Sequence, residues 1–102
     1  MVQARALARR AVAHGIDRQL EWVERIFIYL PFEHSEEPAD QEESVRLFEN
    51  LRIALGDLSA EHAYRHRDII RRYGRFPHRN VALGRESTAE EQAFLASPVA
   101  GL

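Results

Sequence analysis

Apolar residues return every third or fourth position in four successive blocks of this chain, and each block closes on a glycine or proline: Gly15, Pro31, Gly56 and Gly74. That period marks helices that bury one face, and a glycine or proline at the block end marks the stop. Val2, Ala6, Leu7, Ala11 and Val12 form the first block; Leu20, Val23, Ile26, Phe27 and Leu30 form the second, with Trp22, Ile26 and Tyr29 as a further row. By composition Ile26 to Tyr29 equally suits a short buried strand, but the helical polarity of Glu21 to Arg25 favours helix. Pro31 is expected to end this helix. Ser35 is expected to cap a third one, with Glu36 and Glu37 at its positive end, Pro38 in its first turn, and Val45, Leu47, Phe48, Leu51 and Leu55 on its apolar face. Ser59 then caps a fourth, carrying Ala60, Ala63, Tyr64, His66, Ile69, Ile70 and Tyr73.

Beyond Gly74 the period vanishes over residues 75–86, which read as an ordered loop, with Phe76 kept out of helical backbone by Pro77. Thr88-Ala89-Glu90-Glu91 has capping-box spacing and opens a short last helix through Phe94 and Leu95, ending before Pro98. The chain is thus expected to be one all-α domain over 1–102, a helical bundle of four to five helices. Its expected core is Leu7, Val12, Leu20, Trp22, Val23, Phe27, Leu30, Val45, Phe48, Leu51, Ile69, Ile70 and Tyr73.

Composition narrows the function classes. At 102 residues the chain supports one modest core. It has no cysteine, hence no disulfide, thiolate zinc site or cysteine nucleophile, which suits a reducing, cytoplasmic location. All fourteen basic residues are arginine, and against sixteen acids they leave a net charge of −2, so nucleic acid is not an expected partner. Residues 33–49 carry seven acids against Arg46 alone, and residues 61–85 carry seven arginines against Glu61 and Asp68. Arg65, Arg67, Arg71, Arg72, Arg75 and Arg79 with Tyr64, Tyr73 and Phe76 have the residue types of an RNA-binding stripe, but the acidic balance favours a solvated or internally paired face. No run reaches the roughly 20 apolar residues of a membrane span. Met1 to His14 resembles a transit peptide only in its arginines and reads as a core helix.

The richest polar cluster joins Glu33, His34, Ser35, Glu36 and Gln41 from one bend to Arg75, His78, Arg79 and Asn80 from another. If the bends meet, Arg75 and Arg79 can hold a small carboxylate or phosphate, with His34 or His78 as the titratable group. Ser35 beside His34 is better explained as a cap than as a nucleophile. The competing reading is purely structural: the arginines pair with Glu33, Glu36 or Glu37, and His78 and Asn80 satisfy loop carbonyls. His62 and His66, at i and i+4, have a spacing used for zinc, but no third ligand is identifiable, so no metal is expected. No Walker loop, GxGxxG turn, GxSxG elbow or calcium loop occurs, so no cofactor is indicated.

Three segments carry a resemblance to a known family: Tyr29-Leu30-Pro31-Phe32-Glu33-His34-Ser35-Glu36; Gln41 with Ser44-Val45 and Leu47-Phe48; and Gly74-Arg75-Phe76-Pro77-His78-Arg79-Asn80 with Leu83-Gly84-Arg85. In order and spacing they resemble the bacterial family called domain of unknown function 924, and Glu86-Ser87-Thr88 with Phe94-Leu95 extends the likeness. The resemblance implies a tetratricopeptide-like helical fold, with this chain matching the C-terminal part of a longer domain. It implies no substrate and no residue roles. If upstream helices normally cover Trp22, Phe27 and Ile28, the chain alone exposes an apolar face, and a homo-oligomer or a partner chain is expected. The alternative function is therefore a helical protein-interaction module.

Overall fold

The computed structural model describes residues 2–97, and the side chains of all these but Val2, Leu55, Leu58 and Ser59. Five α-helices follow one another: α1 (Val2–Ala13), α2 (Trp22–Glu33), α3 (Pro38–Leu55), α4 (Asp57–Tyr73) and α5 (Ala89–Leu95), with short 3-10 turns at Ile16–Gln19 and Pro77–Arg79. Among the described residues there is no strand, so the chain is all-α, and Ile26 to Tyr29 are helical. No helix there is long and apolar enough to cross a membrane.

Local signals account for most boundaries. Gly15 at φ 70° and Gly74 at φ 74° take the left-handed conformation that ends a helix at little cost to a residue without a Cβ. Thr88 accepts from the Glu91 amide while the Glu91 carboxylate accepts from the Thr88 amide, the reciprocal bonds expected from that spacing. A second box, Glu21 with Glu24, opens α2.

Three boundaries depart from the sequence reading. Pro31 lies inside α2, which runs on to Glu33, because a missing N–H this close to the end removes one hydrogen bond while the His34 amide still reaches Leu30 O at 2.9 Å. Ser35 does not cap α3: Glu37 occupies the cap position, Pro38 follows it at the start of the helix, and Ser35 bonds Asp40 instead. Helix α4 begins at Asp57, so Ser59 falls within it; the side chain of Ser59, like Pro98, lies outside the described residues.

The core has two parts. Ala8, Tyr29, Phe32, Leu47, Phe48, Leu51 and Ala63 form the larger, where α2 and α4 close on α3; Ile69, Ile70 and Phe76 form the smaller, beside Tyr73 and Phe94. Phe48, Leu51, Ile69 and Ile70 are buried as expected; Val12, Leu20, Leu30, Val45 and Tyr73 are half-buried. Leu7, Trp22, Val23 and Phe27 are not core: they are 62%, 43%, 60% and 71% exposed. Helix α2 is apolar on most sides, so its period alone does not select the buried row. The row carrying Tyr29 and Phe32 takes that place, with Tyr29 edge-on to Phe48 at 5.9 Å.

Candidate functional site

The two bends meet. Glu36 in the first bend takes both guanidinium nitrogens of Arg85, at 2.9 and 3.0 Å, and the backbone amide of Phe76 at 2.6 Å. Arg85 also donates to Phe76 O at 3.2 Å. The Glu36 bonds, made across 40 to 49 positions of chain, fasten the Phe76 loop onto the end of α2. The fork of Arg85 holds the Glu36 carboxyl below its ordinary pKa, with the Phe76 amide assisting.

The first bend is shaped from inside. Gln41, 1% exposed, donates through Nε2 to Glu33 O and Ser35 O, both at 2.7 Å, tying α3 to the last residue of α2 and to the bend that follows. Ser35 Oγ donates to Asp40 Oδ2 at 2.7 Å and accepts from the Glu37 amide at 3.2 Å and from Arg5 Nη1 at 3.1 Å. Asp40 also takes Arg9 Nη2 at 2.7 and 2.9 Å. Helix α1 is therefore bound to the bend by ion pairs.

A cleft of about 220 Å³ opens where these parts converge, lined by Arg5, Pro31, His34, Ser35, Glu36, Glu37 and Arg79. Of the nine residues in the polar cluster read from the sequence, His34, Ser35, Glu36 and Arg79 line it. Arg75 does not line it: its guanidinium grips Glu91 at 2.7 and 2.8 Å and Glu86 O at 2.7 Å, holding α5. Asn80 is fully buried, donates to Ser87 Oγ at 3.0 Å and sets the loop. His78 is exposed, 5.7 Å from the Phe76 ring. Gln41 lies beneath the bend rather than in the cleft.

Arg79 stands apart from the other arginines here. Its guanidinium lies 4.7 Å over the Phe76 ring and, among the described residues, makes no ion pair, whereas Arg5, Arg9, Arg75 and Arg85 each hold a carboxylate. Burial lowers the His34 pKa, and the positive charge of Arg79 and the nearby His78 lower it further, so His34 is neutral at pH 7. The ion pairs expected for Arg75 and Arg79 fall elsewhere: Glu36 is neutralised by Arg85 rather than by Arg75 or Arg79.

Behind His34 lies a group the sequence reading did not assemble. Glu33, 5% exposed, has His34 Nε2 4.0 Å from Oε2 and His66 Nδ1 3.5 Å from Oε1, and burial pushes its pKa up to about 7. His66 is buried too, which lowers its pKa, and its Nδ1 meets His62 O at 2.7 Å. The i and i+4 histidines thus share a backbone bond instead of facing a common ligand. Sequence spacing gave a signal at His66 but pointed it to the wrong neighbour; Arg5 and Arg85 meet their carboxylates only across the tertiary fold, so no local spacing marks those pairs.

The family model described as a bacterial protein of unknown function, DUF924, matches residues 2–99. A solved structure of a protein of unknown function from Agrobacterium tumefaciens shares 44% identity and a TM-score of 0.81, over 92% of this chain and 51% of that one. The chain thus spans about half the length of that relative. No curated protein matches it.

Proposed function

Since the chain belongs to the DUF924 family of bacterial proteins of unknown function, we propose a role from the cleft itself: it accepts a small anion, a carboxylate or a phosphate, between Arg79 and His34. The observation that carries this is Arg79, a planar donor lining a cleft with no acid of its own, beside acids already neutralised by other arginines. A guanidinium held over an aromatic ring keeps its donor edge free for a bidentate acceptor. Neutral His34 adds a directional hydrogen bond without a second full charge.

Calorimetric titration with inorganic phosphate tests it. Wild-type protein is expected to bind one equivalent, and Arg79→Ala to lose at least tenfold in affinity, since a charge-assisted hydrogen bond contributes about 1.5–3 kcal/mol. Equal affinity of wild type and variant, or no binding by either, overturns the reading.

A second reading rests on the apolar side chains that α1 and α2 leave exposed, Leu7, Trp22, Val23 and Phe27. The solved relative carries about as much chain again as the matched half, and a second copy of this chain supplies the same amount of cover. In this reading the consecutive helix pairs stack in a tetratricopeptide-like manner and the chain works as a helical interaction module in a cytoplasmic setting, as the C-terminal part of the longer family domain.

A further inference from the structure

Glu33 and His34 close α2, and His66 faces them from the middle of α4. One ligand-capable atom from each lies within 4.8 Å of the other two. Tetrahedral zinc binds imidazole and carboxylate at about 2.0–2.2 Å, which sets its donors roughly 3.4 Å apart. The 4.0 Å between Glu33 Oε2 and His34 Nε2 is close to that spacing, and the His66 ring meets Glu33 Oε1 through Nδ1 at 3.5 Å, so rotation of the Glu33 side chain toward His66 Nε2 completes the set.

A second observation points to a ligand. Glu33 Oε1 is buried without a hydrogen-bond partner, on a side chain that is 6% exposed. An orphaned carboxylate oxygen in such a place is costly unless a proton or a cation meets it. Its neighbours are two imidazoles, the commonest metal-binding side chains. The surroundings also fit. Ligation through His66 Nε2 keeps the His62 carbonyl on Nδ1 as outer support, and the ring of Phe76 stands edge-on to His66 at 5.5 Å as an apolar wall. His34 is 41% exposed and lines the cleft, so one coordination position is left open on that side.

We propose that Glu33, His34 and His66 form a three-ligand site for a divalent transition cation of the zinc class, with its open position toward the cleft. Two histidines and a glutamate with a free fourth position is a donor set used by catalytic zinc. With one carboxylate, the loaded site carries a net positive charge, opposed by Arg79 and relieved when an anion enters. The inference deepens the anion reading without requiring it: Arg79 is not a ligand, and Glu33 and His66 do not line the cleft.

The test uses tag-free, chelator-stripped protein titrated with cobalt(II), first without added phosphate. One equivalent is expected, with the intense visible bands of a four-coordinate ion, displaced by one equivalent of zinc. His66→Gln and the more exposed His34→Ala should each lose the bands, while His62→Ala should retain them; circular dichroism verifies that each variant is folded. Arg79→Ala should bind cobalt at least as tightly as wild type does while losing phosphate, so failure of the metal site and failure of the anion site give different patterns. Absence of a stoichiometric cobalt complex, or bands unchanged in both His66→Gln and His34→Ala, overturns the proposal.

Discussion

Single side chains decide which bend does what. Glu36 joins the bends through three hydrogen bonds to Arg85 and Phe76, and Arg79 is left over as a donor. The two residues should respond differently to mutation. Glu36→Ala leaves Arg85 and the Phe76 amide without their acceptor and is expected to cost about 2–3 kcal/mol in urea denaturation. Arg79→Ala forfeits only a cation–π contact, about 0.5–1 kcal/mol. Reversal of that order would show that Arg79, not Glu36, pins the loop. None of this division was legible in the sequence, where Arg75, Arg79 and Arg85 are chemically equal; the fold alone separates one that holds α5, one that holds Glu36 and one that holds nothing charged.

Among the elements, α5 is a short helix held by its cap, by the Arg75–Glu91 ion pair and by Phe94 against Tyr73 at 5.2 Å. Glu91 receives the Arg75 fork and the Thr88 amide, and these bonds hold its pKa down to about 2. A carboxyl whose native pKa lies below its ordinary value of 4.5 adds stability that is complete above that value and is lost as pH falls through the native one. Docking of α5 should therefore be whole at pH 7 and weaken between about 4.5 and about 2. Amide exchange over Ala89–Leu95 reads this directly, and in Glu91→Gln protection should be low already at pH 7 and show no such transition. Protection unchanged by the substitution would contradict it. Elements of this kind were the most legible part of the chain: Gly15, Gly74 and the Thr88 box act through neighbours within four residues, and local spacing reports local bonds. Pro31 was misread because position within a helix, not proline itself, sets the cost of a missing amide.

For the whole molecule, the radius of gyration is 14.4 Å with extents of 45 × 28 × 18 Å, somewhat larger than the roughly 13 Å of a compact chain near this length. The extra surface includes Leu7, Trp22, Val23 and Phe27. Sedimentation velocity is expected to show a dimer at tens of micromolar, as a rough working range, and Phe27→Glu to return it to monomer. A wild-type monomer across that range would leave the face without the second copy proposed for it. The all-α class was readable because helical period is a property of sequence alone. The buried side of α2 was not, because that helix offers apolar residues in nearly every direction and only its neighbours choose among them.

If both bends build one anion-accepting cleft, a nitrogen-15 chemical-shift titration of the labelled protein with inorganic phosphate will register them together. Saturable shifts are predicted in both bends together, at His34 to Glu37 and at Phe76 to Asn80, with Arg5 following and the distant 3-10 turn at Ile16–Gln19 unmoved. Shifts confined to one bend, scattered over the arginine-bearing surfaces, or absent at millimolar phosphate would contradict the account.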